Sequence, residues 1–160
     1  MKTFASLYLL FLLLLFGLLY WDPSPLAASV DHYQRGMTLY FLELGLPKGQ
    51  LRGIDIWINP HYKIIITKAC NGMIPILVLW AAVLAYPLAG WGRKLLWLLI
   101  GYLVLSAVNI LRLLMVAACV KEQADFPFCH DLLGNMLLML AGLLLFWLFL
   151  RGTRAQRLMR

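Results

Sequence analysis

Four long apolar segments constrain the fold of this chain more than any other feature. A helix needs about 20 apolar residues to cross a hydrocarbon core of roughly 30 Å. Four segments approach that length, at residues 4–20, 72–89, 95–116 and 132–150. With 63% hydrophobic and 13% charged residues, the chain has too few polar groups to cover a soluble domain of 160 residues. The sequence therefore predicts an all-α multi-pass membrane protein with four transmembrane helices.

The distribution of charge predicts how these helices are oriented, because basic residues favour short cytoplasmic loops. Basic residues precede the first segment, join the second to the third, and follow the fourth: Lys2, Arg93, Lys94, Arg151, Arg154, Arg157 and Arg160. The acidic residues all lie in the two remaining intervals. We therefore expect both termini in the cytoplasm and a multi-pass protein of the cell membrane. The net charge of +7 follows from this pattern, so no nucleic-acid partner is expected.

The first segment also has an alternative interpretation as a cleaved signal peptide. A basic start, an apolar core and small residues at Ala27 and Ala28 partly match one. The apolar run is longer than usual, however, and Leu26-Ala27-Ala28 is a poor cleavage site. We expect the segment to be retained, and cleavage would leave the orientation of the other helices unchanged.

Residues 21–69 predict a small external cap made of an amphipathic helix and a β-hairpin. Apolar residues recur at helical spacing from Val30 to Leu44, Ser29 is placed to cap this helix, and Gly45 with Pro47 is placed to end it. We expect its apolar face to lie on the outer leaflet or on the helix bundle.

The hairpin is predicted from an alternating segment at residues 54–59, a turn at Asn59-Pro60 and a β-branched segment at residues 62–67. It delivers the chain to Cys70. No repeat, low-complexity tract or flexible linker interrupts the sequence, so residues 1–160 are expected to form one integral membrane domain.

Three residues of consecutive segments are expected to meet at the external face. Cys70 precedes the second segment, Arg112 lies in the third, and His130 precedes the fourth. The third segment runs outward, and Arg112 lies about 25 Å along it at about 1.5 Å of rise per residue. Cys70 and His130 both precede inward-running segments. The three side chains therefore belong to one layer, where they are candidates for a catalytic site.

These residue types suit nucleophilic catalysis. A thiol reacts as the thiolate, which a helix N-terminus and a nearby arginine both stabilise. His130 is suited to proton transfer, and Arg112 to holding an oxyanion or a substrate carboxylate. The backbone N–H groups of Asn71 and Gly72 are candidate additional oxyanion donors.

Each residue also has a structural interpretation. A membrane cysteine is usually a small apolar packing residue, an intramembrane arginine can reach lipid phosphate, and a histidine beside Asp131 is often a surface residue. Ser106, Asn109 and Arg112 form a polar strip on one helix face, which should face the bundle and meet Asn135. The strip is compatible with a catalytic site and with interhelical hydrogen bonding alone.

The remaining cysteines and histidines indicate no metal site. Cys119 and Cys129 should both be external, and their spacing allows a disulfide in an oxidising compartment, which would leave Cys70 as the free thiol. His32, His61 and His130 are dispersed, and no Cys-x-x-Cys or His-x-x-x-His spacing occurs. No metal and no cofactor is expected.

The segments Ala69-Cys70-Asn71-Gly72 and Asn109-Ile110-Leu111-Arg112, together with His130 followed by Gly134, resemble the exosortase and archaeosortase family. Its members are multi-pass membrane enzymes with a Cys, Arg and His triad at the external face of the prokaryotic cell membrane. Asn71 replaces a more usual serine or threonine. The chain is shorter than the many-span exosortases and so resembles a compact subtype such as the exosortase H group.

The resemblance implies a cysteine transpeptidase or protease. Its substrates would be secreted proteins whose C-terminal sorting tail carries a short motif, a transmembrane helix and basic residues. Cys70 would attack the peptide bond near the motif, His130 would transfer protons and Arg112 would stabilise the intermediate, with Asn71, Gly72 and Asn109 in support.

Two other functional classes compete with this interpretation. A noncatalytic assembly or scaffold protein would use the cap to bind a partner and the polar residues to lock four helices together. A quinone-linked thiol redox protein would need a cycling cysteine pair, and the absence of Cys-x-x-Cys disfavours it.

Overall fold

The computed structural model describes the backbone of residues 2–158 and the side chains of residues 3–153. Within that range the chain forms five α-helices and a three-stranded antiparallel sheet. The helices are α1 (Lys2–Leu19), α2 (Pro25–Gly45), α3 (Met73–Ala85), α4 (Trp91–Cys119) and α5 (Asn135–Leu158). The strands are β1 (Leu51–Arg52), β2 (Asp55–Asn59) and β3 (Tyr62–Ile65). The predicted all-α class is confirmed, with the sheet confined to the cap.

Helix α3 is the centre of the bundle and packs against α1, α4 and α5. It is apolar on all sides, as expected of a helix packed against several neighbours, and Ile76 and Leu77 are fully buried. The Trp80 indole N–H donates to the Leu98 carbonyl of α4 at 2.9 Å. The outer faces of α1, α4 and α5 expose leucines, which suits contact with lipid tails.

The helix lengths differ from the predicted spans. Helix α3 has 13 residues rather than the predicted 72–89, because Tyr86 precedes a proline and takes an extended conformation that ends the helix. Helix α4 has 29 residues rather than the predicted 95–116, since its first turn includes charged residues that the apolar run excluded. By length and composition, two helices within the described residues qualify as membrane-spanning, Trp91–Cys119 and Gln123–Thr153, while α1 and α3 are shorter apolar helices. The four-span arrangement stays a prediction.

Basic side chains gather at the end of the bundle where α3 passes to α4. The buried Lys94 Nζ donates to the Leu84 carbonyl at 2.7 Å and so satisfies one of the free carbonyls at the end of α3. Arg151 lies over the Trp147 ring at the same end. The side chains of Arg154, Arg157 and Arg160 lie outside the described residues.

The cap helix α2 begins earlier than predicted. Ser24, and not Ser29, is the N-cap: its hydroxyl accepts from the Ala27 N–H at 3.4 Å. Pro25 follows at the first helical position, where its fixed φ favours the helix and its missing N–H costs nothing. Ser29 lies one turn inside and donates to the Pro25 carbonyl. The predicted end at Gly45 is confirmed.

An ordinary surface helix buries its apolar face, but α2 exposes much of its apolar stripe and buries polar residues. Tyr33, Tyr40 and Leu44 of its apolar stripe are 61 to 68% exposed. The polar residues Gln34 and Thr38 are buried with Leu42 against the bundle. The apolar stripe is therefore free to face the membrane surface, while the face that carries Gln34 and Thr38 packs against α4.

The predicted hairpin is confirmed as β2 and β3, and the Asn59 side chain accepts from the His61 N–H to form its turn. The sheet gains a third strand, β1, through a turn at Gly53, whose φ is 65°. Ile56 and Ile64 bury one face of the sheet against Leu113 and Val116 of α4. This contact anchors the strand that leads to Cys70.

Candidate active site

Cys70 lies in a tight turn between the cap sheet and α3. Residues Lys68–Cys70 form a single 3₁₀ turn, and Gly72 precedes α3 with φ of 78°. A Cβ at Gly72 would stand 2.8 Å from Cγ of Asn109. Gly72 is therefore required both for the left-handed backbone and for the close approach of α4. This approach lets the Asn109 Nδ2 donate to the Cys70 carbonyl at 3.0 Å.

Arg112 is a buried cation, only 3% exposed, on the face of α4 that looks into the bundle. Its Nη2 donates to the Asn135 Oδ1 of α5 at 2.9 Å, and its Nη1 contacts the Asn109 Oδ1 at 3.4 Å. No carboxylate forms an ion pair with it among the described residues, and its buried Nε has no hydrogen-bond partner there. A Cβ at Gly134 would stand 2.8 Å from that Nε, so Gly134 makes room for the guanidinium.

His130 projects from a π-helical segment, Pro127–Gly134, that leads into α5. Its Nε2 is 2.9 Å from Arg112 Nη2 and 3.8 Å from Cys70 Sγ, and its Nδ1 is 2.8 Å from Asp131 Oδ1. Arginine can only donate, so the Nε2 of a neutral His130 is the acceptor and Nδ1 carries the proton. The Asp131 carboxylate accepts a hydrogen bond from this Nδ1–H and orients the ring, and the Phe126 ring stacks on it with 4.6 Å between the ring centroids.

The surroundings of Cys70 favour the thiolate. Burial raises the pKa of the thiol, but hydrogen bonding with His130 and with the hydroxyl and backbone of Thr67 lowers that pKa by more. The resulting pKa is about 7, against an ordinary 9.0. A substantial fraction of Cys70 is then a nucleophile at neutral pH.

A disulfide joins Cys119, the last residue of α4, to Cys129, the residue before His130. The spacing of the two cysteines allowed this bond, and the structure contains it. Cys70 is the free thiol. The disulfide ties the segment that carries His130 to the helix that carries Arg112.

The structure brings together the residues that the sequence singled out. Cys70, Arg112 and His130 meet, and Asn135 joins the polar strip of α4 as expected. Asn71 differs from expectation, because its N–H contacts the Lys68 carbonyl at 3.4 Å within the turn. Its side chain instead bridges to Asp31 of α2 and to the Met73 N–H.

Sequence reasoning missed four residues of the site: Asp131, Thr67, Asp31 and Gln34. In the sequence Asp131 is only the neighbour of His130, and nothing local distinguishes an orienting carboxylate from a solvated one. Asp31 and Gln34 share a face of α2 opposite its apolar stripe. That polar face was the sequence feature that could have indicated their part in the site.

An apolar groove of about 550 Å³ opens beside the site between α1, α3 and α5. Gly72, Arg112 and Asn135 line one end of it. Phe4, Gly142 and Phe146 line the part farther along the bundle. The groove therefore connects the polar corner formed by Arg112 and Asn135 to a surface that suits an apolar chain.

A comparison with protein families finds one match: the family described as transmembrane exosortase matches residues 2–147. No curated protein and no solved structure matches the chain.

The reactivity of Cys70 should depend on pH with a midpoint near 7. Only the thiolate is alkylated by iodoacetamide, so the rate should fall below a pKa of about 7. His130→Ala removes the Nε2 contact, and the midpoint should then move toward or beyond 9.0. His61→Ala, the same change at an exposed cap histidine, should leave it in place. Mass spectrometry of protein alkylated in detergent measures both, and a wild-type midpoint of 9 or above would contradict the assignment.

Removal of the disulfide should loosen His130. In the Cys119→Ser, Cys129→Ser variant, the alkylation midpoint of Cys70 should rise, because Nε2 is no longer held against Sγ. The loss of loop closure should also lower stability by about 2 to 3 kcal/mol, measured by denaturant titration in detergent. A loss of stability with an unchanged midpoint would mean that packing alone positions His130.

Proposed function

The chain belongs to the transmembrane exosortase family, and on that premise we propose that it is a cysteine transpeptidase or protease of secreted proteins. Its substrates carry a C-terminal sorting tail with a short motif, a transmembrane helix and basic residues. The observation that carries the proposal is the convergence on one imidazole nitrogen of a thiol at 3.8 Å and a buried guanidinium at 2.9 Å. If Arg112 had only a structural role, there would be no need for a free thiol to contact the same His130 Nε2.

The first chemical step forms a thioester. Cys70 passes its proton to His130 Nε2, and Sγ attacks the carbonyl carbon of the scissile peptide bond. The tetrahedral intermediate carries a negative charge on the former carbonyl oxygen. When it collapses, the C–N bond breaks, the proton on Nε2 goes to the leaving amine, and the sorting tail departs.

Arg112 is suited to stabilise that oxyanion. Once Nε2 is protonated it no longer accepts from Arg112, so the transfer that activates the thiol also frees the Nη2 donor. The guanidinium has no carboxylate partner to compete with the oxyanion among the described residues. An amine or water then attacks the thioester carbonyl carbon and gives a proton to His130 Nε2. The C–S bond breaks, the acyl product leaves, and His130 returns that proton to Sγ, which restores the thiol.

The groove supports an apolar substrate segment. It begins at Arg112 and Asn135 and continues along the bundle between apolar side chains. A substrate helix lying in it would have its scissile bond at the Cys70 end. Its basic residues would then lie at the other end, where acidic phospholipid headgroups are the expected partners.

We propose a location in the inner membrane of a prokaryotic cell, with four spans, cytoplasmic termini and the triad at the external face. The charge distribution supports this orientation. The disulfide supports it independently, because such bonds persist in oxidising compartments outside the cytoplasm.

Replacing the nucleophile tests the proposed activity. In host cells carrying Cys70→Ala, secreted proteins with such tails should keep them, with processing reduced by at least about 100-fold because no thioester forms. Arg112→Lys should also reduce processing while the protein stays abundant. Mass spectrometry of C-termini measures the outcome. Intact processing by Cys70→Ala, with lower abundance on Arg112→Ala, would instead support a noncatalytic scaffold.

Filling the groove tests the tail site separately from the chemistry. Gly142 lines the groove, and an added Cβ meets no atom within 4 Å. Gly142→Leu should therefore weaken tail binding and slow processing, while alkylation of Cys70 is unchanged. Gly17→Leu is the matched control, since Gly17 is equally uncrowded but does not line the groove. Equal processing by both variants would rule out the groove as the tail site.

A further inference from the structure

The cap helix α2 turns a buried polar face toward the turn that carries Cys70. Gln34 is 1% exposed and Asp31 lies three residues earlier, on the same face of the helix. A surface helix ordinarily buries apolar residues. Burial of a glutamine in their place costs free energy unless its amide is fully hydrogen-bonded. The hydrogen-bond partners of Gln34 therefore indicate its role.

The Gln34 amide joins three separate elements. Its Nε2 donates to the Asn71 carbonyl at 3.1 Å and to the Ser106 hydroxyl of α4 at 3.2 Å. Its Oε1 accepts from the Tyr102 hydroxyl, also on α4, at 2.8 Å. Both amide hydrogens and the oxygen are engaged, so Gln34 is held in one orientation and in turn holds the Asn71 backbone.

Asn71, the residue after the nucleophile, is fully buried and is fixed through its side chain as well. Its Nδ2 donates to Asp31 Oδ1 at 2.7 Å, and its Oδ1 accepts from the Met73 N–H at 3.0 Å. Arg35 pairs with the other carboxylate oxygen of Asp31 and keeps that group in place. Asn71 is thus clamped between α2 and the start of α3.

We infer that Asp31 and Gln34 are positioning residues for the nucleophile: through Asn71 they hold the turn so that Cys70 Sγ lies against His130 Nε2. The inference rests on the proposed function, and it assigns to the cap helix a part in the reaction. The contact between sulfur and nitrogen is already long at 3.8 Å. A small shift of the turn is therefore enough to break it, and misplacement by about 1 Å can cost on the order of 100-fold in rate.

The test uses two disruptive variants and two matched ones. Gln34→Met keeps the volume but removes the donors to Asn71, and Asp31→Ala removes the acceptor of the Asn71 amide. Asp31→Asn keeps an acceptor oxygen without the charge. Thr38→Val changes a buried residue of the same α2 face, one turn after Gln34, whose hydroxyl has no hydrogen-bond partner among the described residues.

Two quantities are measured on the full chain: the pH midpoint of Cys70 alkylation, and kcat and KM for tail cleavage. The disruptive variants should raise the midpoint from about 7 toward 9.0 and lower kcat by about 10- to 100-fold. KM should not change, because neither residue lines the groove. Asp31→Asn should retain most of kcat, and Thr38→Val all of it.

The direction in which the alkylation midpoint of Cys70 shifts distinguishes a displaced thiol from a change in the charge near it. The ionisable groups around the turn include His130, Arg112, Asp131, Asp31, Arg35, Tyr102 and Lys68, and Lys68 is paired with Asp22. Removal of the Asp31 charge alone would lower the thiol pKa, because a nearby negative charge opposes the thiolate. A rise in Asp31→Ala therefore reports a displaced thiol.

Three outcomes would overturn the inference. The first is an unchanged midpoint and kcat in both disruptive variants, and the second is a fall in the midpoint with Asp31→Ala. The third is an equal loss in Thr38→Val, which would indicate general packing of α2. Alkylation needs no substrate, so it decides the positioning role even if wild-type protein cleaves no tail.

Discussion

The structure depends on the burial of one guanidinium, that of Arg112, which has no carboxylate partner among the described residues. An arginine within a membrane bundle costs several kcal/mol unless it is hydrogen-bonded or hydrated. Arg112 meets that cost through Asn109, His130 and Asn135, which come from α4 itself, the π-helical segment and α5. These contacts determine how closely the helices approach. Gly134 must lack a side chain beside the guanidinium, and Gly72 must lack one beside Asn109.

The same contacts fix the orientation of the His130 imidazole. Arg112 occupies the Nε2 of a neutral His130, Asp131 occupies Nδ1, and the thiol approaches Nε2 as the remaining proton donor. The imidazole is therefore held in one orientation by the protein's own side chains, which is the preorganisation that the proposed nucleophilic catalysis requires. The apolar groove opens next to this polar corner, at the boundary between the bundle and the cap.

The cap contacts both the helix bundle and the turn that carries Cys70. Its sheet is anchored on α4 through Ile56 and Ile64, and its helix reaches the nucleophile turn through Gln34 and Asp31. The exposed stripe of Tyr33, Tyr40 and Leu44 lies on the other side of that helix. One helix thus has one exposed face and another that contacts Asn71, the residue after Cys70, while the disulfide ties the segment that carries His130 to the end of α4.

The sequence by itself determined the membrane class, the hairpin, the polar strip of α4 and the gathering of Cys70, Arg112 and His130 in one layer. Apolar length, charge placement and helical spacing are local properties, and a shared layer follows from them by simple arithmetic of helix rise. Local pattern also misled, since Ser29 resembled a cap while Ser24 before Pro25 formed it, and the apolar run past Ala85 concealed the end of α3 at a proline. Only the tertiary structure decided that Asp131 orients the imidazole, that Asn71 bridges to α2 and that the amide of Gln34 faces the nucleophile turn. These contacts join residues up to 40 positions apart, or depend on which way one side chain turns, and neither is encoded in the spacing of residues along the chain.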